Sequence, residues 1–407
     1  MRYGLAQPPQ SSTSGVPILR ATNIYRGSIR SEGLIYSALE DIPLDRAPLL
    51  EAGEILVVRS GAYTGDSALV TPEWEGAAPG YDLRITPEHV EPRYLAFALL
   101  SAPVLHQIEV ASSRAAQSHL NAEELGEVRV CLPPLEEQRR IADFLEGETV
   151  RLKKLRAMAL RLRDLLQARR KAVIFALVTG ADWSSKVSSG LPWVESIPAH
   201  WRSAKINYFA RMGSGHTPSR NRPEWWINPE FCWITTGEVA QVRDDRAEVI
   251  TETRERISKA GLENSSAELH PAGTVVLCRT ASAGYSAVMG SQMATSQDFV
   301  TWTCGEELDP FYLLWCLRAM RDDLLGRLAT GSTHKTIYVP DLQMLKIPVP
   351  PISEQQKIVA RIRASNAEID ALLDLVDKQL KLLEERRRAL ITAAVTGQLD
   401  VTTARGA

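Results

Sequence analysis

A chain of 407 residues with 47 basic and 49 acidic side chains, net charge −2, exceeds one ordinary core and suits two to four domains. Its 44% hydrophobic and 24% charged content is that of a globular protein, and no apolar run approaches the roughly 20 residues of a membrane span. The charge balance leans slightly against a nucleic-acid partner, although a local basic face can hide in a near-neutral total.

The opening stretch, "MRYGLAQPPQSSTSG", lacks the apolar region of a secretory signal. The five cysteines (Cys131, Cys232, Cys278, Cys304 and Cys316) show neither C-x-x-C nor Cys/His ligand spacing, which predicts buried free thiols, no metal and a cytoplasmic location. Residues 1–132 read as a mixed α+β region. Within residues 1–135 there are ten arginines, no lysine and sixteen acids.

At residue 133 the pattern changes. "LPPLEEQRRIADFLEG" from Leu132 returns as "VPPISEQQKIVARIRA" from Val349, and "ARRKAVIFALVTG" ending at Gly180 returns as "ERRRALITAAVTG" ending at Gly397. The offset is constant and ungapped, so this is a duplication. Each copy predicts a long helix, over 133–180 and 350–397. Pro-Pro opens the turn, acids (Glu136, Glu137; Glu354) fill the first turn, and a glycine ends the segment. About 44 helical residues make a rod of roughly 65 Å.

The apolar spacing predicts what the rods touch. Leu145, Leu152, Leu166 and Val173 recur in sevens with Ile141, Leu155 and Leu162 between them. In the second rod Ile362, Ile369, Val376, Leu383 and Leu390 take the same places, with Ile358 and Leu372 between. A 3.5-residue period over about five heptads is a coiled-coil seam. Two copies related by a two-fold axis must then pack antiparallel.

Between the rods lie a connector, 181–192, and a second mixed region, 193–349; a short tail, 398–407, follows. The mixed regions echo each other. "APLLEAGEILVVRSGAYTGDSALV" from Ala47 parallels "AELHPAGTVVLCRTASAGYSAVM" from Ala267, and "VEPRYLAFALLSAPV" parallels "LDPFYLLWCLRAM". The expected fold class is therefore α+β: two homologous domains joined by two long antiparallel coiled-coil helices in a pseudo-two-fold repeat. Shared frames with different loops suit two modules for two targets.

The chemistry-bearing motifs exclude more than they assign. "GSTHKT" at Gly331 fails as a phosphate loop because His334, not Gly, precedes Lys335. No cofactor loop, metal spacing or nuclease pattern stands out, so the chain is expected to be non-catalytic by itself. What remains are residue types that read base edges and phosphates. They sit in matching loops: Arg59, Tyr63 and Thr64; Arg114, Gln117 and His119; Ser214, His216, Thr217 and Arg220; Ser332, Thr333, His334 and Lys335.

Taken together, the double "PPLEEQRRIA / PPISEQQKIV" helix, the "VTG" endings, "RYGLAQPP", "RATNI", "GEILVVRSGAYTGDSALV", "SRAAQSHLNAEEL" and "GSTHKTI" resemble the specificity subunit of type I restriction-modification systems. The resemblance covers nearly the whole chain. It implies two target-recognition domains, each reading one half of a bipartite asymmetric DNA sequence, with the helices as a ruler between the halves. It also implies two docked modification subunits that use S-adenosylmethionine to methylate adenine at N6, and restriction subunits that use ATP and Mg. No cofactor is expected on this chain. Arg2, Tyr3, Gln7, Arg20, Asn23, Thr235, Thr236, Arg279 and Ser282 complete the candidate DNA-contacting set. The alternatives are a coiled-coil adaptor that does not touch DNA and a DNA-modifying enzyme with an unrecognised site. One departure stands out. About twenty residues, "LPWVESIPAHWRSAKINYFA", precede "RMGSGHTPS" in the second domain, whereas only Met1 precedes "RYGLAQPPQ". Either the true start lies upstream of Met1 or the first domain lacks its opening element.

Overall fold

The computed structural model describes residues 1–402 except 6, 8, 114–117 and 332–334. It divides into two compact units, Met1–Leu160 with Asp377–Ala407, and Arg161–Val376. In the first unit the aliphatic run Ile55–Val57 is the inner strand of a four-stranded antiparallel sheet, in the order Arg2–Tyr3, Leu83–Ile85, Ile55–Val57, Ser67–Leu69. It reads as an unbroken apolar run because both faces are covered. Ile55 and Val57 meet Leu99, Val104, Ile108 and Leu120, while Leu56 faces Leu19, Ile24, Ala68 and Val70. A second sheet sets Val16–Leu19 between Ile35–Ser37 and Ala78–Pro79, the latter pairing parallel.

The second unit repeats this order. Ala210–Ser214, Phe299–Cys304, Val275–Cys278 and Ser286–Met289 form the equivalent sheet, extended by Val249–Ile250. Phe231–Ile234 lies between Arg256–Ile257 and Met293–Thr295, again with one parallel partner. Pro92 and Pro310 each begin a helix, Pro92–Leu99 and Pro310–Ala319, as proline at the first helical position should. Burial pushes the thiols of Cys278, Cys304 and Cys316 up to about 12, so they stay protonated. No single helix among the described residues is long and apolar enough to cross a membrane.

The duplicated segments are helices Leu135–Thr179 and Ile352–Val395. They end at Gly180 and Gly397 with φ of 67° and 72°, the left-handed turn that glycine enters without strain. In the first unit Ile141, Ala142 and Leu145, near the start of one helix, pack on Ile391, Ala394 and Val395, near the end of the other. In the second unit Ile174, Leu177 and Val178 pack on Ile358, Val359 and Ile362. The helices therefore run antiparallel. The repeated Gln of the opening phrase is a clasp. Gln138 accepts from the Glu91 N–H and donates to the Pro133 carbonyl, and Gln355 does the same with Asp309 and Pro350.

The seam departs from the heptad reading. Leu152 and Leu166 on the first helix and Ile369 and Val376 on the second are buried as expected. Leu155, Leu162 and Leu372, however, are exposed, and Val173, Leu383 and Leu390 are half-buried. Burial falls instead on Leu373, Ile174 and Ile391, each one residue later. A straight 3.6-residue helix drifts about 20° per heptad from a 3.5-residue repeat, so the contact line passes to the next side chain. Cys131 is another correction, exposed rather than buried. In the second unit the strand Lys346–Val349 is paired by Arg202–Lys205. The corresponding 129–132 has no strand beside it among the described residues, which leaves Cys131 in solvent.

Candidate nucleic-acid interface

In each unit one turn gathers loops that are far apart in sequence. After Val57 the chain leaves the sheet at Arg59. Its carbonyl accepts from the Leu120 N–H at 2.7 Å, and the Gly61 N–H donates to the Ser118 carbonyl. Thr64 Oγ1 donates to the Gly61 carbonyl at 2.8 Å and, at 3.3 Å, to the Ser118 carbonyl. The second unit does the same: the Arg279 carbonyl accepts from the Ile337 N–H at 2.8 Å, and Thr280 bridges to Thr336. The loops at 59–65 and 118–120 are thus joined, as are those at 279–282 and 335–337.

Side chains around Arg59 form the most organised of these sites. Its guanidinium carbon lies 4.8 Å from the Tyr3 ring centroid and 4.3 Å from that of Tyr81. Nη2 is 3.1 Å from His119 Nε2, and since a guanidinium only donates, that imidazole nitrogen is the acceptor. The Arg59 N–H donates to Asp82 Oδ1. Burial raises the Asp82 carboxyl to about 6, against the lowering effects of the Arg59 N–H and charge. Tyr3 in turn accepts from the Ala122 N–H. Arg2, Gln7 and Tyr63 are exposed nearby in sequence. Tyr81 and Asp82 were not among the residues singled out from sequence; the β-strand pairing that brings them to Arg59 has no local signature.

In the second unit Arg279 Nε donates to the Gln297 carbonyl at 2.9 Å, and Thr217 donates to the Gln297 side chain. Ser214 and His216 are exposed, and the His216 N–H donates to the Thr295 carbonyl. Thr235, Thr236 and Ser282 are half-buried, and Lys335 is exposed. Arg220 stacks 4.0 Å from the Trp226 centroid but is paired with Glu255, which neutralises it.

One expected contact fails on geometry. Asn23 is fully buried. Its Oδ1 accepts from the Arg20 N–H, and its Nδ2 donates to the Arg30 and Glu32 carbonyls, so the amide is spent inside the fold. Arg20 is half-buried, with Nη2 on the Gly33 carbonyl. Arg114, Gln117, Ser332, Thr333 and His334 lie outside the described residues.

Each domain is also fastened to the helices by equivalent positions. Arg170 pairs with Asp370 and donates to the Asp244 carbonyl; Arg387 donates to the Arg26 carbonyl. The contacted loops hold Asp245 and Arg26 at positive φ, 59° and 42°.

The fold and these paired loop sites define a two-module recognition protein built on a helical pair. The sequence model of the type I restriction modification DNA specificity domain matches residues 12–152 and 198–381, and the chain belongs to that family. It is 24% identical to a putative type I restriction enzyme MjaX specificity subunit of Methanocaldococcus jannaschii, over 99% of this chain and 92% of that one. Against the EcoR124I/EcoR124II specificity subunit of Escherichia coli it is 24% identical over 46% of this chain and 45% of that one. Its fold is that of a chain solved in a study of type I R-M assembly and conformational transition, with TM-score 0.73 and 19% identity over 98% of this chain and 96% of that one. The HsdS subunit of Thermoanaerobacter tengcongensis aligns with TM-score 0.56 and 19% identity, covering 98% of this chain and 95% of that one. The chain is the DNA-recognition subunit of a type I restriction-modification complex, and catalysis belongs to its partner subunits.

Proposed function

We propose that the two domains each read one half of a bipartite asymmetric DNA sequence, and that the paired helices set the spacing between the halves. The observation that carries this is the duplicated sheet order with the same two loops joined at Arg59 and at Arg279, while the side chains those loops present differ. A common frame with different polar surfaces reads different bases. Lys335 is an exposed cation suited to phosphate, which adds affinity without sequence information.

Two modification subunits dock on the helices, and restriction subunits join them. Apolar side chains at helical spacing are exposed in each unit: Leu155 and Met158 with Leu382 in the first, and Leu162 and Leu165 with Leu372 and Leu375 in the second. Such a stripe suits a helix of another subunit. S-adenosylmethionine, ATP and Mg belong to those subunits rather than to this chain, and the complex acts on DNA in the cytoplasm. The test is co-expression with the modification subunit followed by mapping of methylated adenines. One interrupted, asymmetric target is expected; methylation without sequence preference, or none, overturns the reading.

A further inference from the structure

We infer that Arg59 reads a guanine in the half-site of the first domain, held for that task by the rings of Tyr3 and Tyr81. This rests on the DNA-reading function proposed above and assigns one residue to one base type.

Four observations carry it. The guanidinium lies 4.8 Å and 4.3 Å from two tyrosine centroids, and with Nε buried without a partner and one Nη2 hydrogen on His119, its outer edge, Nη1 and the second Nη2 hydrogen, is what it can offer a ligand. Both rings are themselves about half exposed, Tyr3 at 44% and Tyr81 at 48%, which places the group at a solvent-facing surface rather than in a core. Among the described residues no carboxylate forms an ion pair with it. Asp82 accepts from the backbone N–H, and Nη2 donates to a ring nitrogen of His119. Neighbouring arginines are different: Arg84 is spent on Glu54 and the Pro48 and Leu49 carbonyls, and Arg93 on Glu91, Asp143 and Glu146. Finally, the Arg59 backbone is pinned on both sides, by Asp82 and by Leu120, so the side chain springs from a fixed point.

A cation that is oriented, stacked and without an ion-pair partner among the described residues is pre-organised for a bidentate acceptor. In the DNA major groove the acceptor pair on one base that matches an arginine fork is guanine O6 and N7. A phosphate can accept from the same group, but a phosphate contact carries no base information, so losing it weakens binding without changing the sequence that is methylated. That difference makes the assignment testable.

The experiment uses the complete complex with its modification subunits and the DNA target found by methylation mapping. Each guanine of the first half-site is replaced in turn by 7-deazaguanine, which removes the N7 acceptor. Wild-type complex is expected to lose about 5- to 150-fold in affinity at one guanine, the equivalent of about 1–3 kcal/mol. Arg59→Ala and Arg59→Lys complexes are expected to be indifferent at that guanine and to methylate sites degenerate at that one position, with the second half-site unchanged. Tyr81→Leu is expected to weaken the same discrimination while leaving the salt dependence as it is. A lysine variant that keeps full specificity means a phosphate contact and overturns the assignment, as does an alanine variant with an unchanged methylated sequence or a first half-site without guanine. If the wild-type complex shows no sequence-specific methylation, it is the DNA-reading function itself that falls.

Discussion

Burial lifts the Asp82 carboxyl from 3.8 to about 6, and its Oδ2 is buried with no hydrogen-bond partner. The folded state therefore holds a proton that the unfolded chain has released between about pH 4 and 6. Stability from this group is greatest below the unfolded value, falls as pH rises through about 6, and is flat beyond it. At 1.36 kcal/mol per unit the cost at neutral pH is on the order of 3 kcal/mol. Asp82→Asn keeps an acceptor for the Arg59 N–H and removes the charge. Denaturant unfolding is expected to show the variant more stable than wild type at pH 8 and no better at pH 4. A difference that does not change with pH would mean that Asp82 carries no unusual proton. Polar loop residues were only partly legible at this scale. Arg59 and Asn23 look alike in sequence, each a base-reading type beside a turn. Hydrogen bonds within its own loop, to Arg20, Arg30 and Glu32, consume the Asn23 amide, whereas strand pairing brings Tyr3 and Tyr81 to Arg59 and leaves it presented.

At the scale of elements, the long helices were the most legible part, because their caps and periodicity are local. Their contact line was less so. A seven-residue rule assigns Leu372 to the seam, whereas the helix buries Leu373, since 3.6-residue geometry accumulates a drift that the repeat ignores. The apolar side chains left over form the stripe proposed above for docking. Met158 and Leu165 are 68% and 58% exposed, so changing them to lysine removes little packing, and an effect on stability within about 0.5 kcal/mol is expected. Burying either lysine against a partner helix would be costly. The double variant Met158→Lys, Leu165→Lys is therefore expected to unfold like wild type yet assemble with the modification subunit at least about tenfold more weakly by analytical ultracentrifugation. Undiminished assembly would show that this stripe is not the docking face.

For the whole molecule, the duplication predicts modular reading, and the contacts between domain and helix say how an exchange must be made. Within the second unit, Arg246 pairs with Asp370 and Asp374, Arg363 pairs with Glu248, and Arg170 reaches the Asp244 carbonyl. Glu248 is largely buried beside its arginine, so a donor domain without an acid there would leave Arg363 unmatched. A domain from another specificity subunit that keeps a base at 246 and an acid at 248, placed over residues 193–349, satisfies these contacts. The retained domain then keeps its own clamp, Arg387 on the Arg26 carbonyl and Arg26 on Glu384. Methylation mapping of the chimaeric complex is expected to show the half-site of the first domain unchanged, the other half replaced by that of the donor, and the number of bases between them preserved. A change in both halves would mean that the domains read DNA together. A change in spacing with both original helices intact would mean that the domains, not the helices, set it.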